Sequence, residues 1–281
     1  MKNISCIAII PARFASTRFP GKPLVILAGK PIIEHVYERV SEIVDDVYVA
    51  VDDQRIFDCV ESFGGKAIMT SPNHKSGTDR VAEAYKNIGK NFDVVINVQG
   101  DEPFIHKEQI SDLIGCFEKE DTDIATIVKP YAPNENLNAL LNPNTPKVVI
   151  SKDKKALYFS RSVIPYLRGV EQKDWLASHT YYKHIGIYGF RSKVLEEIFV
   201  WSVRLYYCYY KHIGIYGFRS KVLEEITLLP QGSLEKAESL EQLRWLENGY
   251  NIRVAVNNFE TVGIDTKEDL ERAELYISRN S

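Results

Sequence analysis

Two hydrophobic periods alternate along the first half of the chain. A continuous apolar run at residues 4–10 is followed by PIIEHVYERVSEI from Pro31, where apolar residues recur at helical spacing. The strand-like DVYVAV from Asp46 and a second helical stretch at 55–63 come next. KAIMT at 66–70, a helical stretch at 78–88, VVINV at 94–98, a helical stretch at 107–117 and IATIV from Ile124 continue the alternation. Strands without polar alternation are buried on both faces, so the pattern predicts an α/β fold: a mixed, mainly parallel sheet flanked by helices. In such sheets ligands bind beyond the carboxyl ends of the strands, and that is where the chemistry is sought.

The second half contains a verbatim repeat. Residues 181–198 read YYKHIGIYGFRSKVLEEI, and residues 209–226 carry the same eighteen letters. Two copies 28 residues apart, with no third and with an unrelated FVWSVRLYYC between them, do not make a solenoid. The expectation is one domain over residues 1–281 in which a single copy is built into the sheet and the other is an apolar insertion. The second copy is the one expected to dock, because the insert then only lengthens a loop, and long loops add little closure entropy.

Composition narrows the class without naming a function. The chain has 281 residues, 44% hydrophobic and 26% charged, enough for a large core and ordinary for a protein folded in water. Lys and Arg number 35 against 38 Asp and Glu, so no global basic field recruits nucleic acid or anionic lipid, and any anion site must be local. Cys6, Cys59, Cys116 and Cys208 show neither C-x-x-C spacing nor a disulfide framework and read as reduced thiols. With no apolar run long enough to span a bilayer and no signal-peptide pattern, the expected location is the cytoplasm.

Four stretches carry candidate chemistry. After the first strand, IIPARFASTRFPGKPL places Pro11, Ala12, Arg13, Ser16, Thr17, Arg18, Gly21 and Lys22 in one loop. Several cations offset the charges of a polyphosphate, and glycine lets backbone amides approach it; a plain solvated basic loop is the alternative. No G-x-G-x-x-G follows a strand, and the P-loop pattern fails because Leu24 stands where its first glycine belongs. The buried-looking VVINV runs into Gln99, Gly100 and Asp101, a carboxylate placed to hold a divalent cation that bridges phosphates. Far downstream, GIDTKEDL offers Asp265 as a second acid, although Asp265 or Thr266 there also reads as a helix cap. Finally, HKSGTDR (His74 to Arg80) opens a helix with polar groups suited to a base edge or ribose.

Taken in order, IIPARFASTRFPGKPL, HKSGTDR, NVQGDEPFI, ALYFSRSVIP, KHIGIYGF, LEKAESLEQLRWLENG and GIDTKEDL resemble the 3-deoxy-manno-octulosonate (Kdo) cytidylyltransferase family, of the nucleotide-diphospho-sugar transferase-like fold. The resemblance covers nearly the whole chain. It implies transfer of CMP from CTP to the anomeric hydroxyl of Kdo, with release of pyrophosphate, for lipopolysaccharide synthesis. It also implies a Mg²⁺ cofactor and a homodimer, with no nucleic-acid or membrane partner. By position, the resemblance gives nucleotide binding to Pro11, Ala12, Arg13, Arg18, Lys22, Ser76, Gly77, Thr78 and Gln99, and catalysis to Arg18, Lys22 and Asp101. Metal binding falls to Asp101 and Asp265, and the sugar pocket to Arg161, Glu241, Gln242 and the histidine of KHIGIY, which is His184 or His212. Two alternatives stay open: a cytidylyltransferase for another acid sugar of the sialic acid type, and a nucleotide-binding protein disabled by the duplication.

Overall fold

The computed structural model describes residues 4–15, 19–74, 76–190, 217–218, 220–259, 263–264 and 266–280. Its strands are β1 (Cys6–Ala12), β2 (Ile26–Leu27), β3 (Lys30–Pro31), β4 (Asp46–Val51), β5 (Ala67–Met69), β6 (Val94–Asn97), β7 (Ile124–Pro130), β8 (Lys147–Ile150), β9 (Ala156–Ser160), β10 (Tyr182–Phe190), β11 (Gly217–Phe218) and β12 (Ile252–Val256). Its α-helices are α1 (Ile32–Ser41), α2 (Gln54–Ser62), α3 (Gly77–Ile88), α4 (Lys107–Gly115), α5 (Leu137–Leu141), α6 (Trp175–Ser178), α7 (Ser220–Leu228), α8 (Ser233–Glu238), α9 (Gln242–Glu247) and α10 (Lys267–Asn280).

One sheet organises the molecule, and β2 and β3 form a separate two-stranded ribbon. In the N-terminal half, β5, β4, β1 and β6 lie side by side and parallel. The strands there are Ile- and Val-rich because both faces are covered: Ile7, Ile9, Ile10, Val49, Val51, Val95 and Ile96 are fully buried. The rest of the sheet is mixed, as expected. β12 joins β7 in parallel, while β10 runs antiparallel to β6, β7 and β8, and β8 pairs antiparallel with the edge strand β9. Helices form where the periodicity placed them. α1 buries Ile32, Ile33, Val36 and Val40 along one stripe. α2 is capped by Asp53, whose carboxylate accepts from the Arg55 N–H, and α3 opens with a reciprocal cap between Ser76 and Asp79.

The first strand begins and ends about two residues later than its apolar run suggested. Pairing with β4 carries it on through Pro11 and Ala12, beyond Ile9, the last β1 residue to pair with β6, opposite Asn97. Pro11 therefore lies past that ladder, where its missing N–H removes no bond.

The repeat resolves differently from expectation. The docked strand is the first copy, with Tyr182, Lys183, His184 and Ile185 in register on β7. The docked helix is α7, from the second copy, with Val222 and Ile226 buried. Between them the two copies claim one slot. Gly189 and its duplicate Gly217 share Ile96 and Ala125 as partners, and Phe190 and Phe218 share Ile124. The second copy thus contributes β11 and α7 among the described residues, while the first contributes Tyr181 and β10; the rest of both copies lies outside them.

Candidate active site

The site is built where β1, β4 and β6 end together. Gly100 packs against the loop that leaves β1, with a Cβ there falling 3.1 Å from the Pro11 carbonyl. Gly77, the first residue of α3, faces both Pro11 and Gln99, at 3.5 and 3.6 Å from the position its Cβ would take. Pro11, Gly77 and Gln99, chosen from three separate stretches of sequence, therefore line one corner. Ala12 is buried beneath it and Arg13 is exposed. The loop from Phe14 to Gly21 closes on itself through a hydrogen bond from the Gly21 N–H to the Phe14 carbonyl (3.0 Å). Gly21 sits at φ +68°, a left-handed conformation that glycine adopts without penalty. Ser16, Thr17 and Arg18 lie outside the described residues, as do Lys75, His212 and Asp265.

Lys22 reaches across to Asp101, with Nζ 2.5 Å from Oδ2. The other carboxylate oxygen, Oδ1, is buried and has no hydrogen-bond partner among the described residues. A buried carboxylate oxygen left without a donor is costly, and a hard cation satisfies it. The chain segment before Asp265 arrives at the same place: Ile264 donates its N–H to the Asp101 carbonyl (2.9 Å), and Gly263 packs against Glu102. The helix-capping alternative for Asp265 is taken by its neighbour. Thr266 accepts from the Asp269 N–H through its hydroxyl and donates its own N–H to Asp269. Asp101 is no cap either, because His106 precedes α4. Among the described residues no group of three or more His, Cys, Asp or Glu forms a metal cluster.

In the HKSGTDR stretch the side chains divide. The Ser76 hydroxyl accepts from the Asp79 N–H (3.1 Å) as helix cap, and His74 pairs with Glu83. Arg80 does not face the corner lined by Pro11 and Gln99. It is 3% exposed and donates to Asp52 Oδ2 (2.9 Å) and Thr70 Oγ1 (2.7 Å). Burial, and then the nearby Arg13, pull its pKa below the usual arginine value.

The residues expected to bind the sugar lie just past β9, on β10 and around the start of α9. Thr78 donates its hydroxyl to Glu241 Oε2 (3.3 Å), which joins the nucleotide stretch directly to the turn before α9. Burial pushes the Glu241 carboxyl up to about 7, against the opposing pull of Arg244. Gln242 is buried beside it. Arg161, just past β9, donates to the carbonyls of Glu238, Pro143 and Ser239. Three of its N–H donors therefore fix the backbone around the pocket, and up to two of the guanidinium's five remain for a ligand carboxylate. Lys147 reinforces this frame, fully buried, donating to the carbonyls of Asn142, Thr145 and Arg161. His184 on β10 is buried, with Nε2 2.9 Å from Thr126 Oγ1 and its ring edge-on to Phe159.

Arg13 and Lys22 on one loop, an Asp101 oxygen without a donor among the described residues and the Thr78–Glu241 contact suit nucleotidyl transfer. The cytidylyltransferase family model matches residues 7–204 and, in a second overlapping segment, 199–252, so that the overlap falls in the stretch between the two copies. The chain belongs to the cytidylyltransferase family. It is 55% identical over 97% of both chains to the 3-deoxy-manno-octulosonate cytidylyltransferase of Phocaeicola vulgatus, and 47% identical to that of Thermodesulfovibrio yellowstonii, over 98% of this chain and 99% of the relative. A solved structure of CMP:2-keto-3-deoxy-manno-octonic acid synthetase complexed with CTP superposes with a TM-score of 0.81 at 36% identity, covering 99% of this chain and 100% of that one. A 4-diphosphocytidyl-2C-methyl-D-erythritol synthase from Anaerococcus prevotii, 14% identical with a TM-score of 0.58, shares the fold.

Two residues that the sequence reading did not single out touch the loop that leaves β1. Asp52 stands directly after β4, at the carboxyl end of a strand adjacent to β1, and accepts from the Phe14 N–H (3.0 Å). Arg55, held by Asp53, lies over the Phe14 ring at 3.4 Å from its centroid. The rule that directed attention to the end of β6 applies equally to the end of β4, where the sequence reads VDDQR.

Proposed function

We infer that this cytidylyltransferase moves CMP from CTP to the anomeric hydroxyl of Kdo and releases pyrophosphate, working in the cytoplasm as a homodimer. The observation that carries the transfer chemistry is Asp101, whose buried Oδ1 has no donor among the described residues while Oδ2 meets Lys22 beside the loop that leaves β1. The Kdo assignment is supported by the identity to relatives of that name.

Arg13, Arg18 and Lys22 hold the β- and γ-phosphates and offset the charge that builds on departing pyrophosphate. Pro11, Ala12, Ser76, Gly77, Thr78 and Gln99 receive the nucleoside, the close approach at Gly77 leaving room for it. Arg161, Glu241, Gln242 and the KHIGIY histidine orient the acid sugar so that its anomeric oxygen lies in line with the α-phosphorus. Asp101 and Asp265 would hold Mg²⁺, which fits the undonated oxygen and the arrival of residues 263–264 beside Asp101. When bound, the ion supplies charge neutralisation at the phosphates and acidifies the attacking hydroxyl.

The decisive assay is pyrophosphate release with CTP, Mg²⁺ and Kdo, each omitted in turn, with a sialic acid as competing acceptor. Release that requires Kdo supports the assignment; release with the nine-carbon acid alone overturns it, and CTP binding without turnover identifies a disabled enzyme. A single-protomer mass by analytical ultracentrifugation would remove the dimer from the reading.

A further inference from the structure

We propose that Asp52 is a positioning residue for cytidylyl transfer: through the Phe14 N–H it sets the angle at which the cation-bearing loop leaves β1. The proposal rests on the reading of that loop as the phosphate site. Asp52 is nine-tenths buried and divides its carboxylate between two partners. Oδ1 accepts the Phe14 N–H at 3.0 Å, and Oδ2 accepts from Arg80 at 2.9 Å. Arg80 is itself fixed by Thr70 Oγ1, and the Thr70 hydroxyl donates to the Val51 carbonyl at 2.9 Å. The result is a rigid chain from the end of β4 through α3 to one backbone amide in the loop.

Phe14 is the right place to hold. It follows Arg13 directly, and its carbonyl closes the loop by accepting from the Gly21 N–H. Its ring lies between the Arg55 guanidinium and Gly21, where a Cβ would fall 3.1 Å from Phe14 Cε2. The amide, carbonyl and ring of one residue are thus all constrained, and Arg13 and Lys22 extend from the two sides of the closure. Asp52 also neutralises Arg80, which lies close enough to Arg13 to feel its charge, so the positive field available to a phosphate comes from the loop itself. Phosphoryl chemistry depends on placement, and small displacements of charge-bearing groups cost large factors in rate.

Three variants test this. In Asp52→Ala the apparent KM for CTP is expected to rise about tenfold or more while the KM for Kdo stays within about twofold. That variant leaves Arg80 buried without its carboxylate and loses stability, so the double variant Asp52→Ala/Arg80→Met, which removes the buried charge altogether, is measured beside it. The double variant should regain melting temperature and keep the raised KM for CTP; if Asp52→Ala gives no folded protein, the double variant alone gives the answer. A folded double variant with a wild-type KM for CTP overturns the proposal, because the pair would then serve stability only. Arg13→Ala separates the two ideas. If it leaves the KM for CTP unchanged, the phosphate-loop reading fails; if it raises that KM while Asp52→Ala does not, only the positioning role is lost.

Discussion

Glu241 shows how one side chain's environment becomes a measurable property. Its carboxyl is held at about 7 by burial, far above the ordinary 4.5, while Arg244 opposes the shift without cancelling it. The folded state therefore keeps a proton that the unfolded chain has lost between those two values. Ionising Glu241 in the fold has no cost below about pH 4.5 and full cost above about 7, so its effect is a loss of stability as pH rises through that window, on the order of 3 kcal/mol at most. Glu241→Gln is expected to flatten this part of the stability curve, measured by chemical denaturation at pH 5 and pH 8; an unchanged slope would show that the carboxyl titrates normally. At Asp101 the expectation is different, because its buried Oδ1 has no hydrogen-bond partner among the described residues and is proposed to face a ligand. Asp101→Asn should lower turnover by about 10²-fold or more with a melting temperature within a few degrees of wild type. Full activity in that variant would remove the acid from the mechanism.

At the scale of elements, each strand end that faces the site is followed by a short, constrained connection and not by a free loop. The β1 loop is closed by Gly21 at φ +68°, and α3 begins at a glycine next to Pro11 and Gln99. Gly21→Ala adds a Cβ both in a disfavoured conformation and at 3.1 Å from the Phe14 ring. A loss of about 1–2 kcal/mol is expected from the backbone alone. Thermal melts and CTP titrations of the same preparation check it, since the strain should weaken nucleotide binding together with stability. Most elements were legible in the sequence: α1, α2, α3 and β4 fall within a residue or so of their periodic stretches because amphipathic helices and buried strands each impose their own spacing. Strand ends were less legible. β1 continues past Pro11 because β4 is there to pair with it, which is a property of the neighbour and not of the local letters.

For the whole molecule the repeat is the dominant fact. The strand comes from one copy and the helix from the other, with Gly189 and Gly217 sharing the same partners. Deleting residues 191–218 joins that strand to that helix, and because the copies are identical it produces the same chain as deleting 199–226. The shortened protein is expected to melt higher and to stay soluble at higher concentration, since a surplus apolar strand no longer competes for the slot. Equal melting temperatures for the two lengths would argue that the extra residues carry no penalty.

The sequence by itself determined the class of fold, the cation-rich loop and the acid after β6, because burial period, charge and glycine placement act locally and are written in adjacent letters. Which donors remain for a ligand was decided only in three dimensions. Arg80 turned out to serve Asp52 and Thr70, Arg161 gives three donors to backbone carbonyls, and Thr266 relieves Asp265 of the helix cap. The choice between identical strands was likewise a tertiary matter. Two copies with the same letters have the same local preferences, so local sequence cannot choose between them, and residues of both pair at the one position between β6 and β7.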